Sequence, residues 1–124
     1  MSYQGLVAKQ TVGSAIGDSI LPHQGIVGFS GQFAAQFPTN STSFFQSLCN
    51  QQQVTQCRFG LALTSNGTGT QILGELDSSL YSGDLTVVPV LEEWVVSGDL
   101  AINGTVVARD LVVELDSGTA TVVG

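Results

Sequence analysis

The 124-residue chain is the size of one ordinary domain, large enough for a single hydrophobic core and too small for two. Charged residues make up 10% of it, three basic side chains stand against ten acidic ones, and the sequence pI is near 4.1. Such a surface repels phosphate backbones and anionic lipid, and no apolar run approaches the roughly 20 residues that span a bilayer, so neither nucleic acid nor membrane is expected as a partner. Ser, Thr, Asn, Gln and Gly take the surface role instead, as in a secreted, turn-rich β protein. The first residues lack the basic segment and apolar core of a leader peptide, so the mature chain is read as soluble.

In chain order, Gly5 to Val12 alternates around β-branched and small residues and is expected as a strand. Ala15 to Pro22 is a second short extended segment, ending at a turn where His23, the only histidine, is read as solvated. Gly25-Ile26-Val27-Gly28-Phe29 is an apolar run between glycines, which suits a buried strand packed close to another segment. Gly31 to Asn40 reads as a loop. Ser43 can cap a short helix whose apolar positions Phe44, Phe45 and Leu48 fall on neighbouring faces, with Phe44 and Phe45 read as core. Strands are then expected at Arg58 to Leu63, Thr70 to Glu75, Leu85 to Val90, Trp94 to Ile102, Thr105 to Val107 and Leu111 to Leu115. Asn-Gly, Ser-Gly and Asp-Ser turn signals separate them. Asn103-Gly104 is the clearest hairpin turn, because a two-residue turn with positive φ favours that dipeptide. Many short strands with one short helix predict an all-β fold, a single β domain over residues 1–124.

Cys49 and Cys57, with seven residues between them and no histidine nearby, lack the ligand set of a zinc site. A local disulfide is the better reading than two free thiols, and it implies an oxidising compartment. Asn40-Ser41-Thr42, Asn66-Gly67-Thr68 and Asn103-Gly104-Thr105 match the acceptor pattern for N-linked sugar and would be surface turns in a secreted chain. Such short patterns also arise by chance where Thr and Ser are abundant. Glu92-Glu93 reads as an exposed turn, the glycines lack the lysine and helix of a phosphate loop, and no cofactor or metal is implied.

The segment with chemistry in it is Val112-Val113-Glu114-Leu115-Asp116-Ser117-Gly118-Thr119, an apolar strand that delivers an aspartate into a tight turn. A strand fixes the carboxylate, small Ser117 and Gly118 let a second loop come within hydrogen-bonding distance, and the Thr119 hydroxyl can tie two loops together. Asp-Ser-Gly alone is a common turn tripeptide. In company it says more: Ile26-Val27-Gly28 resembles the strand that passes beneath a catalytic loop in pepsin-like aspartic proteases. Gly74 to Leu85, with Val88-Pro89-Val90 and Trp94, is similar to that family's run after the first lobe, and Leu100 to Gly104 to the hairpin before the second active-site loop. Order and spacing agree along nearly the whole chain.

The resemblance implies a partial or rearranged pepsin-like lobe, truncated at both ends, running from the late first lobe to the second catalytic loop. Family members cut internal peptide bonds with two aspartates that share a proton. Asp116 would be one of that pair, Thr119 the loop-bridging residue, and Ser117 and Gly118 their small neighbours. The sequence departs from the pattern in having no second Asp-Thr/Ser-Gly: Asp18-Ser19 is followed by Ile20 and Asp77-Ser78 by Ser79. The expected function is therefore an aspartic-endopeptidase-derived domain, inactive as an isolated monomer, whose partners are a protein or peptide substrate and either a homodimer mate or a complementary protease segment. The alternative is a secreted, non-catalytic binding or immunomodulatory protein on the same fold.

Overall fold

The structure, a computed structural model, describes residues 1–14, 16, 25–31 and 41–119. These residues form strands with one short helix and group into two compact units, Met1–Asp84 and Leu85–Gly124. Among the described residues no helix is long and apolar enough to cross a membrane.

The first unit opens with a hairpin of β1 (Ser2–Tyr3) and β2 (Leu6–Val7). Its turn is Gln4-Gly5, with φ of 51° and 82°, the left-handed pair that matches strand twist in a two-residue turn. The strand expected from Gly5 is accordingly shorter and begins only after this turn. Helix α1 (Phe44–Asn50) follows as expected, and the Ser43 side chain accepts from the Gln46 backbone N–H at 3.3 Å. Strands β3 (Phe59–Leu63) and β4 (Gly69–Leu73) pair antiparallel, and a 3-10 turn occupies Ser78–Leu80.

Packing in this unit centres on α1. Phe44 and Leu48 bury with Ala8 against Tyr3, Leu6, Val54 and Leu73. On the adjacent face, buried Phe45 meets Phe29 and Phe59 at ring-centroid distances of 5.9 and 5.0 Å. Tyr3 joins through Phe29 and Phe44, both at 6.2 Å, in edge-on geometries that favour the ring quadrupoles. The Gln51 carboxamide bonds both backbone groups of Lys9, at 2.9 and 2.8 Å, in the manner of a paired strand. The Cys49–Cys57 disulfide is formed, tying the end of α1 to the approach to β3.

Two expected strands are corrected. Residues 25–29 carry no strand and Gly25 to Gly28 are exposed; only Phe29 packs, through the aromatic cluster. Leu85 to Val90 is likewise irregular and exposed. A strand exists by pairing its N–H and C=O groups, and no described strand pairs with either segment. The expected segment Ala15 to Pro22 (Ile16 apart), His23, Asp18, all of the Gly31 to Asn40 loop except Gly31, and the Asn40 acceptor pattern fall outside the described residues.

The second unit is a long hairpin of β5 (Val95–Ile102) and β6 (Thr105–Glu114). Its Asn103-Gly104 turn has φ of 48° and 76°, as the dipeptide predicts. The two strands expected at Thr105 to Val107 and Leu111 to Leu115 are one, because bulges absorb the residues between them. Gly98 faces Leu111 and Leu100 faces Ala108, so Asp99 stands opposite both Arg109 and Asp110. The Asp99 carboxylate closes this bulge by accepting from Asp110 N–H at 3.0 Å and from the Arg109 guanidinium at 2.8 Å.

Candidate functional site

Asp116 lies two residues beyond β6, at the open end of the hairpin. What holds that end is a tight turn before β5, in which Leu91 N–H donates to Val95 C=O at 2.8 Å and Trp94 takes φ of 54°. Leu115 N–H then donates to Trp94 C=O at 2.9 Å, so the residue preceding the aspartate is pinned to the turn. The tryptophan expected within the strand therefore stands one residue before it, in a left-handed conformation rare for a bulky side chain.

The aspartate closes its own loop. Gly118 N–H donates to Asp116 Oδ1 at 2.8 Å, the Thr119 hydroxyl donates to Oδ2 at 2.5 Å, and Thr119 N–H donates to the Asp116 carbonyl at 3.2 Å. A Cβ on Gly118 would stand 3.1 Å from Asp116 Oδ1, so a larger residue there would crowd the carboxylate. The Thr119 hydroxyl bond first, and the Gly118 N–H bond second, hold the exposed Asp116 carboxyl below the usual aspartate range. Ser117 is exposed.

All four residues singled out in the sequence thus share one turn. Asp77 provides a local comparison: Ser79 N–H and Oγ both bond Asp77 Oδ1, at 2.9 and 2.6 Å, and this carboxyl is lowered too, chiefly by the Ser79 hydroxyl. The difference lies in the second oxygen, which at Asp116 is held by Thr119. Sequence reading missed the Trp94 carbonyl as anchor, and a tryptophan in a left-handed turn leaves no pattern that could have shown it. Glu92 is exposed and bridges to Val95, as a turn residue would, whereas Glu93, expected to be exposed with it, is half-buried. Among the described residues no cluster of His, Cys, Asp and Glu could hold a metal ion.

The sequence matches the family model for eukaryotic aspartyl protease over residues 3–124. The chain belongs to the eukaryotic aspartyl protease family. It is similar to pepsin II-1 of Oryctolagus cuniculus, 31% identical over 112 residues that cover 85% of this chain and 28% of that protein. An aspartic protease of Phaffia rhodozyma is 32% identical over 107 residues, 83% of this chain and 26% of its own length. Chymosin of Callithrix jacchus aligns across 99% of the chain at 29% identity and 38% of its own length. The chain of this aspartyl protease family member therefore spans between about a quarter and two fifths of the relatives it matches.

Proposed function

We infer that this chain contributes one carboxylate, Asp116, to an aspartic endopeptidase cleft acting on proteins or peptides, and that an isolated monomer does not cleave. The observation that carries the reading is the Asp116 turn, an exposed carboxylate at the open end of a hairpin with each oxygen held by a separate donor. Hydrolysis by this chemistry needs one carboxyl protonated, to polarise the scissile carbonyl, and one ionised, to take a proton from water. A lone Asp116 whose pKa is lowered is ionised in mild acid, so it can serve only as the base. The second acid comes from another copy of the chain or from a complementary protease segment. When two carboxylates stand side by side they cannot both ionise, and the pair retains one proton as a unit.

Thr119 has one hydroxyl proton, and it is engaged within its own loop. In the bridging role that proton turns to the opposite loop, which frees Asp116 Oδ2 for the proton the pair shares. The Cys49–Cys57 disulfide supports action in an oxidising, extracellular setting. A lone carboxylate also fits a secreted, non-catalytic binding module, and the two readings part on whether a second copy or segment brings cleavage.

The test is digestion of a denatured protein in mild acid at increasing chain concentration, with the association state followed by light scattering. Two copies that complete a dyad give a rate rising as the square of concentration, lost in Asp116→Asn. A rate linear in concentration, carried by monomer and abolished by the same substitution, would overturn the two-carboxylate requirement.

A further inference from the structure

Two of the three Asn-Xaa-Ser/Thr patterns fall among the described residues, and each forms the tip of a hairpin. Asn66-Gly67-Thr68 turns β3 into β4, with Gly67 at φ of 81° and Thr64 N–H donating to Thr68 C=O at 3.0 Å. Asn103-Gly104-Thr105 turns β5 into β6. Both asparagines are exposed.

We propose that Asn66 and Asn103 are acceptor sites for N-linked oligosaccharide. At Asn66 the acceptor turn is already formed. Its carboxamide Oδ1 accepts from the Thr68 hydroxyl at 2.7 Å and from Thr68 N–H at 3.1 Å. The two bonds to Oδ1 fix the carboxamide within the turn and leave Nδ2 out of both. These bonds lie within Thr64 to Thr68, so the turn needs no distant partner to form. In the transfer, Nδ2 attacks the anomeric carbon of a lipid-pyrophosphate-linked oligosaccharide. The new N–C bond forms as the carbon–oxygen bond to pyrophosphate breaks, the lipid pyrophosphate leaves with that electron pair, and Nδ2 yields one proton to a carboxylate of the transferring enzyme.

The compartment where this occurs is the one that oxidises cysteines, and Cys49–Cys57 is such a pair. To that extent the assignment rests on the secretory reading above. The geometry also leaves room for a bulky sugar, since hairpin tips project. Within the second unit, the eight residues of β5 separate the Asn103 tip from the Asp116 end by about 25 Å at strand rise, so a glycan there stands clear of the carboxylate.

The test directs the full chain through the secretory pathway of a fungal host behind a cleavable leader. The secreted protein is treated with a glycan-releasing amidase in heavy-oxygen water and mapped by peptide mass. Asn66 and Asn103 are each expected to become heavy-oxygen aspartate. Thr68→Val is expected to abolish the label at Asn66 alone, and Thr105→Val that at Asn103 alone. Because both sites are Asn-Gly, which deamidates spontaneously, a parallel digest without amidase sets the background. Recovery of either peptide unmodified from secreted chain with Cys49–Cys57 oxidised overturns that site, as does label that survives loss of the threonine hydroxyl. The map is read on the unaltered chain, so a variant that fails to fold leaves the result intact. Proteolytic activity does not enter the readout, so a failure of the catalytic reading is seen separately.

Discussion

Asp77 and Asp116 each accept from a backbone N–H two residues ahead and from a nearby hydroxyl, yet they use the bonds differently. Both bonds at Asp77 converge on one oxygen and cap a short 3-10 turn, a structural task. At Asp116 they separate, and the Thr119 hydroxyl is the larger cause of the lowered pKa. Thr119→Val should therefore raise the Asp116 carboxyl toward the usual range, measured by side-chain carbonyl NMR during a pH titration; an unmoved titration would mean that Gly118 N–H alone holds the anion. The sign for stability follows from the same shift. With the folded value below the unfolded one, the loop's contribution is present above the unfolded value and is lost as pH falls through the folded one. Gly74 is held in the first unit by its backbone as well as its surroundings. It sits at φ of 86°, and an added Cβ would meet Val54 Cβ at 3.0 Å and Thr55 N at 3.3 Å. Gly74→Ala should destabilise the first unit by about 1–3 kcal/mol in denaturant unfolding, from left-handed strain and the crowding together.

Among the elements, α1 is the one whose loss would undo the first unit. Leu48 is fully buried in the cluster against which Tyr3, Leu6 and Leu73 of the two hairpins pack, so Leu48→Ala should cost about 2–5 kcal/mol in unfolding experiments. The disulfide behind it closes a short loop, and opening it with Cys49→Ser and Cys57→Ser should remove about 2–3 kcal/mol, seen as a lower unfolding midpoint. This helix was legible in sequence because its signals are local: a capping serine, then apolar residues at helical spacing. The Asn103-Gly104 turn and the Asp116 turn were legible for the same reason, each being written in two to four adjacent residues. Ile26 to Gly28 and Leu85 to Val90 misled because an apolar β-branched run states a preference for strand, whereas pairing depends on a partner elsewhere. The bulges at Asp99 were hidden too, since they depend on cross-strand register that no local pattern encodes.

Across the whole molecule the two units differ in burial. The first has a buried core, whereas no described residue of the second is buried, and Ile102, Val112 and Leu115 are each more than 60% exposed. A two-stranded hairpin with apolar side chains open to water is marginal by itself. Amides of β5 and β6 should then exchange with deuterated solvent well before that of Leu48, and a partner that covers the hairpin should slow them. Charge decides when such a partner can be another copy. At pH 7 each chain carries a formal net charge of −7, so two copies repel, while near the sequence pI of about 4.1 that repulsion vanishes and the apolar surfaces are free to meet. Self-association should strengthen as the medium moves from neutral to mildly acidic, and added salt should imitate acid at neutral pH by screening the same charges. Sedimentation velocity across both series separates the causes. Association that responds to acid but not to salt would point to protonation of particular carboxylates in the contact, with Asp116 the first to replace, and indifference to both would remove the second copy as the source of the missing acid.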